Sequence, residues 1–303
     1  MFRRLHRFGG ALVALLLVDG LVGACLFRTG TDAEVSVTPA RDGRVRRSIV
    51  VLPGFVMKGS LVATAFAPYL GPNDAVVAVD YAERGVDPDQ IYRQVMDALK
   101  RLRPATVVVY GASMGGLVAM EILRRYQYDG VPYGKVVLVL DTAPSGVLDV
   151  RRPRWLIDAA DWYRGGPVAT AAWAGVAGLM GDVPVGAGGN DELIGAAHHA
   201  AAWAGTAAMA TQGAFIGHHG VDASDAKWSA VVGPAYYFQG EQNATDDPLV
   251  DVESGVGGWT AVLPGLVVVP VGGRDGRWHV PLVERPAESA GALLAVLARV
   301  EGR

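Results

Sequence analysis

Disulfide chemistry is excluded at the outset, because the chain holds a single cysteine, Cys25, and no intramolecular bridge can form. Charge is scarce as well. Only 19% of the 303 residues are charged, the net charge is −3, and like charges run no further than pairs such as Arg46-Arg47 and Arg151-Arg152. A protein that neutralises phosphates needs a dense basic stripe, so nucleic acid is excluded as a partner. No CxxC, HExxH or His/Cys cluster occurs. A structural metal therefore lacks a ligand set, and neither metal nor other cofactor is expected. The pairs His198-His199 and His218-His219 do not alter this. Adjacent residues of a helix point about 100° apart, so such a pair rarely grips one ion; solvated or lid-packing histidines are expected.

What is present is apolar sequence, 51% of the chain, enough for one large domain with an insertion and too much for a disordered one. Its first stretch, "MFRRLHRFGGALVALLLVDGLVGACLF", pairs basic Arg3, Arg4 and Arg7 with an apolar run broken by Asp19. That is the layout of an export signal. "LVGAC" resembles a lipobox, which implies cleavage before Cys25 and lipidation there. An uncleaved anchor from Phe8 to Phe27 is the rival, about 30 Å long at 1.5 Å per residue. Residues 1–28 are thus expected to be a signal or anchor segment that attaches the protein to the outer face of a membrane. Residues 29–47, polar and turn-rich, are read as a linker.

From residue 48 the text becomes rhythmic. "SIVVLPGF", "AVVAVDY", "ATVVVYG", "KVVLVLD", "AYYFQG" and "LVVVPVGG" are β-branched or aromatic runs ending in turn residues. Helical patterns lie between them, notably 88–102, opened by Asp87 before Pro88 with Gln90 three residues on, a capping signal. A last helix is expected over 288–300. Continuous apolar strands alternating with helices predict an α/β fold, a mostly parallel sheet covered on both faces. Residues 146–232 break the rhythm with Ala-rich helical text and five of the seven tryptophans. So long a stretch between two strands predicts an inserted helical cap, leaving core segments 48–145 and 233–303. The cap's Trp155, Trp162, Trp173, Trp203, Met180 and Met209 are candidates either for an apolar substrate pocket or for the cap's own core.

The chemistry is concentrated at "VVVYGASMGGLVAM", residues 107–120. Gly111-Ala-Ser113-Met-Gly115 is a G-x-S-x-G between strand and helix, where it forms a nucleophile elbow. Ser113 is lifted above the strand end, and Gly111 and Gly115 allow close backbone passage. A serine hydroxyl is a weak nucleophile until a histidine takes its proton and a carboxylate orients that histidine. After "AYYFQG" comes "EQNATDDPLVD", and after "LVVVPVGG" comes "RDGRWHVPLVERP". His279 stands before the last helix, and the order Ser113, Asp247, His279 is the serine–acid–histidine order.

With "GASMGG", "DDPLV" and "WHVPLVERP", the chain from about residue 48 onward resembles the α/β-hydrolases of the lipase, esterase and lysophospholipase type. The resemblance implies Ser113 as nucleophile, His279 as general base and then acid, and Asp247 as the orienting carboxylate. It also implies an oxyanion hole from the backbone N–H groups of Met114 and Phe55, with Pro53 standing where the family often has histidine. The acid stays open, since Asp246 and Asp247 lie further from Gly240 than the family's usual spacing. Asp246, Asp141 at the end of the preceding strand, and Glu241 are the alternatives. The expected activity is hydrolysis of hydrophobic or lipid-like esters through an acyl-enzyme. The rivals are a thioesterase, an acyltransferase, a peptidase, or a non-catalytic binding module. Oligomeric state is not written in the sequence.

Overall fold

The computed structural model describes residues 10–22, 33–82, 85–129, 134–151, 154, 157–158, 206–222, 224–225, 232–240, 247, 249–272, 279 and 281–302. Its centre is a seven-stranded sheet in the order β1-β3-β2-β4-β5-β6-β7. The strands are β1 (Glu34–Thr38), β2 (Arg47–Leu52), β3 (Asp74–Asp80), β4 (Thr106–Ala112), β5 (Lys135–Asp141), β6 (Ala235–Gly240) and β7 (Val267–Val271). All neighbours pair in parallel except β1, which runs antiparallel to β3 with Val35 opposite Val79 and Val37 opposite Val77.

Among the described residues from 33 onward, the α-helices are α1 (Gly59–Phe66), α2 (Pro88–Leu102), α3 (Gly115–Asp129), α4 (Thr206–His218), α5 (Val252–Val262), α6 (Pro281–Glu284) and α7 (Pro286–Val300). Ile91 and Val95 of α2, Leu117 of α3 and Trp259 of α5 join the strands in one buried apolar layer. Val62 and Phe66 of α1 and Leu293 and Leu297 of α7 complete a second layer on the other face of the sheet. Each such fully buried side chain contributes about 1.5–3 kcal/mol relative to exposure, so two covered faces fix the sheet between them. The α2 cap forms as its sequence predicts: the Asp87 side chain accepts from the Asp89 and Gln90 N–H groups, with Pro88 in the first turn.

Two expectations need correction. The stretch read as a linker, 29–47, contains β1. An antiparallel edge strand needs little apolar surface, so Val35, packed against the core, suffices once β3 supplies the ladder. The last helix also starts earlier, at Pro286, because proline is at home in a first helical turn.

Near the N-terminus, residues 10–22 are helical, with Leu12, Leu15, Leu17 and Leu21 exposed. Among the described residues no helix is long and apolar enough to cross a membrane. Arg3, Arg4, Arg7 and Cys25 lie outside the described residues, as do His198, His199, Trp155, Trp162, Trp173, Met180, Trp203 and the Met209 side chain. Of the segment expected to be a cap, the principal described element is α4. Its Phe215 and Ile216 are buried in the main core layer.

Candidate active site

Parallel strands expose the ends of their backbones at one edge of the sheet, and ligands of open α/β sheets bind at the carboxyl ends. Ser113 follows β4, Asp141 ends β5, Asp247 follows β6, and His279 follows β7. Phe55 lies just beyond β2. Their chain positions are far apart, but the strand order β2-β4-β5-β6-β7 makes them neighbours.

The serine sits on a sharp turn. Ser113 has φ +49°, a left-handed conformation that non-glycine residues rarely adopt. Its N–H donates to the Asp141 carbonyl at 2.8 Å, and its carbonyl accepts from Gly116 N–H at 2.9 Å. The crowding explains Gly115: a Cβ there would stand 2.0 Å from the Leu52 carbonyl oxygen. A Cβ on Gly111 would stand 2.6 Å from the Gly115 carbonyl oxygen. Both positions require glycine because of close backbone approach.

From Ser113 a hydrogen-bonded series runs inward. Ser113 Oγ lies 3.0 Å from His279 Nε2. His279 Nδ1 lies 2.8 Å from Asp247 Oδ2 and 3.1 Å from Asp247 Oδ1. Asp247 Oδ1 also accepts the N–H groups of Leu249 (2.8 Å) and Val250 (2.9 Å). Burial opposes ionisation of Asp247, but the His279 charge and these hydrogen bonds outweigh it and lower its pKa. Burial likewise opposes the charged His279 ring, and Asp247 overcomes it, raising the histidine pKa above 6.5.

Asp141 is placed differently. Its Oδ2 accepts from the Tyr110 hydroxyl at 2.9 Å and from Leu282 N–H at 3.0 Å. It is fully buried, and burial pushes its pKa up to about 7 against those two donors. Asp246 and Glu241 lie outside the described residues.

Backbone donors near Ser113 are mostly occupied. Val56 N–H donates to Gln212 Oε1 at 2.6 Å, and Met57 N–H to the Gly54 carbonyl at 3.2 Å. Among the described residues the N–H groups of Phe55 and Met114 have no protein acceptor. Gly54 passes close above the serine, where a Cβ would lie 3.3 Å from Ser113 Cβ. The loop is tied down by the Tyr81 hydroxyl, which donates to the Pro53 carbonyl at 3.0 Å.

Three residues beside this constellation have no role in the sequence reading. The Thr142 hydroxyl donates to the His279 carbonyl. Glu284 Oε1 lies 3.5 Å from His279 N, and burial drives the Glu284 pKa to about 8. Gln212 is the third. The one side-chain amide in "TAAMATQGAF" is a faint signal of a buried partner, but nothing local names that partner.

The paired histidines are partly visible. His219 stacks on Phe215 at 3.9 Å between ring centroids, and its Nδ1 lies 2.7 Å from the Phe215 carbonyl oxygen. Among the described residues no group of three or more His, Cys, Asp or Glu is placed to hold a metal ion.

A sequence profile of the alpha/beta hydrolase family matches residues 49–292, and the chain belongs to that family. No curated protein sequence matches it. Among solved structures it is similar to a thermophilic esterase from Thermogutta terrifontis, at 15% identity and TM-score 0.62, covering 88% of this chain and 93% of that one. It is also similar to the enol-lactonase from Burkholderia xenovorans LB400, at 14% identity and TM-score 0.61, covering 88% and 96%. A bromoperoxidase from Bacillus anthracis matches at 17% identity and TM-score 0.60, covering 88% and 95%. At such identities the likeness is one of fold.

Proposed function

We propose that this chain hydrolyses carboxylic esters with hydrophobic acyl groups through a covalent acyl-enzyme. The carrying observation is the series Ser113 Oγ–His279 Nε2 at 3.0 Å and His279 Nδ1–Asp247 Oδ2 at 2.8 Å. In the proposed reaction Ser113 Oγ attacks the ester carbonyl carbon while His279 Nε2 takes its proton. The oxyanion so formed accepts hydrogen bonds from Phe55 and Met114 N–H, a stabilisation worth about 3–4 kcal/mol per donor. His279 then gives the proton to the departing alkoxide as the carbon–oxygen bond breaks, leaving the acyl group on Ser113. Water, deprotonated by the same His279, repeats the sequence, and the products are the acid, the alcohol and free Ser113. Asp247 holds the ring in the required tautomer throughout.

Esters are favoured over other acyl compounds by the solved esterases of the same fold. Thioesters, acyl transfer and peptide bonds make the same demands on Ser113, so they belong in the same substrate panel. The test is intact-protein mass after reaction with a fluorophosphonate, for the full chain and its Ser113→Ala variant. Labelling confined to the native serine, with turnover of p-nitrophenyl esters, is expected. A folded chain that takes no label would instead be a binding module on this scaffold.

Membrane attachment through the N-terminus is part of the same proposal. It is supported by the exposed leucines of the helix at 10–22 and by the basic flank Arg3, Arg4 and Arg7. The full chain should sediment with phospholipid vesicles and a chain lacking residues 1–28 should not. Equal behaviour of the two would end this part of the reading.

A further inference from the structure

Gln212 is buried, 3% exposed, on α4, yet it sits 156 residues away in sequence from the backbone group it binds, Val56 N–H, at 2.6 Å. Val56 has φ +52°. For a β-branched side chain that is a strained conformation, which persists only when surrounding contacts over-determine it. The strained residue directly follows Phe55, whose N–H, like that of Met114, has no protein acceptor among the described residues. That N–H lies in the Gly54–Phe55 peptide plane, which the two soft dihedrals of Phe55 join to the Phe55–Val56 plane held by Gln212.

The platform for Gln212 is firm. Ala214, Phe215 and Ile216, the residues just beyond it on α4, are buried. The Phe55 side chain packs against the same core cluster that holds Phe215 and Ile216. The loop 53–56 is therefore held at three points: Tyr81 on the Pro53 carbonyl, the apolar cluster on Phe55, and Gln212 on Val56. The segment inserted between β5 and β6 supplies the Gln212 hydrogen bond and, through Phe215 and Ile216, part of the apolar cluster.

We propose that Gln212 is a positioning residue for the oxyanion hole, so that seating of α4 on the core aims the Phe55 N–H at the reacting carbonyl oxygen. This rests on the ester-hydrolase reading above. It makes catalytic competence depend on the inserted segment and not on the core sheet alone. Gln212 acts through Val56 and Phe55; it touches no reacting atom itself.

The test compares Gln212→Met and Gln212→Glu in the full chain. Methionine keeps length and burial but offers no acceptor; glutamate keeps an acceptor oxygen at that place whether ionised or protonated. Gln212→Met should lose roughly tenfold to a hundredfold in kcat, below the 10²–10³ seen when a donor is removed outright. Its KM should stay within about threefold, because only a transition-state contact is weakened. The acid limb of the pH–rate profile, set by His279, should not move. Gln212→Glu should recover most of the loss.

A Val56→Gly change gives a second reading, since glycine adopts φ near +52° without strain. In that background Gln212→Met should cost less than in the native chain. Unchanged kcat in Gln212→Met, equal losses in the Met and Glu variants, or equal costs in both Val56 backgrounds would each overturn the proposal. A Gln212→Met chain that does not fold would overturn it too, by making the role structural. If the native chain itself shows neither labelling nor turnover, the hydrolase reading fails first. If the native chain is active and the variants match it, only this inference fails.

Discussion

Asp247 holds His279 with both carboxylate oxygens, Oδ2 at 2.8 Å and Oδ1 at 3.1 Å from Nδ1. Asp141, another buried carboxylate at this end of the sheet, has its Oδ2 occupied by Tyr110 and Leu282. The two aspartates should therefore respond differently to removal of charge. Asp247→Asn should cost about 10³–10⁴ in kcat, through loss of the productive tautomer. Asp141→Asn, which still offers an acceptor to Tyr110 and Leu282, should cost less than about tenfold. Ester turnover under saturating substrate measures both, and equal losses would refute the assignment of Asp247.

In the proposed reaction Asp247 and His279 set the acid limb of the rate profile. A general base must be neutral, and Asp247 raises the His279 pKa above 6.5 against the effect of burial. The midpoint for kcat/KM should lie above 6.5 in the native enzyme and move downward in Asp247→Asn, as residual activity allows it to be followed.

Stability should fall as pH rises from about 5 to 8. Burial raises Asp141 from 3.8 to about 7 and Glu284 from 4.5 to about 8. The native state thus keeps protons that the unfolded chain releases from about pH 4 upward. Their contribution is complete below the unfolded values and is lost progressively as pH rises through the window toward the folded ones. His279, also raised, acts in the same direction above 6.5. Asp247, lowered from 3.8, confines its opposite effect to more acidic solution. Thermal unfolding across this range checks the slope, and Glu284→Gln should flatten its upper part.

Glycines of this chain divide by what surrounds them. Gly115→Ala would press a methyl against the Leu52 backbone at 2.0 Å. Nothing there can yield, so soluble folded protein should be largely lost. At Gly291, inside α7, an added Cβ would meet nothing within 4 Å. Gly291→Ala should raise stability by about 0.5–1 kcal/mol, measurable by urea denaturation.

Arg124 joins the helix after the elbow to the segment after α4. It donates to both oxygens of Asp225 at 2.6 Å, to Glu121, and to the Gly220 carbonyl at 3.2 Å. Asp225 is buried. Arg124→Met should leave that carboxylate with only the Asp222 N–H as a donor and cost about 2–3 kcal/mol, somewhat under the range for fully buried pairs because Arg124 is partly exposed. Asp225→Asn in the Arg124→Met background should return part of the loss.

The parallel strands of the sheet, the capped helix α2, the elbow, and the loops that bear serine and histidine are all legible in the amino-acid order. Those signals are local: β-branched runs, an Asp-Pro cap, glycines that a strand-to-helix turn demands. Three features arise only when the chain is folded. Strand β1 depends on pairing with β3, because its own residues are too polar to announce a strand. The carboxylate at His279 depends on how the chain returns after β6, which spacing left open among Asp247, Asp246, Asp141 and Glu241. The partnership of Gln212 with Val56 depends on seating a distant helix on the core. A hydrogen bond across 156 residues leaves no periodicity in the text, since only packing brings its two ends together.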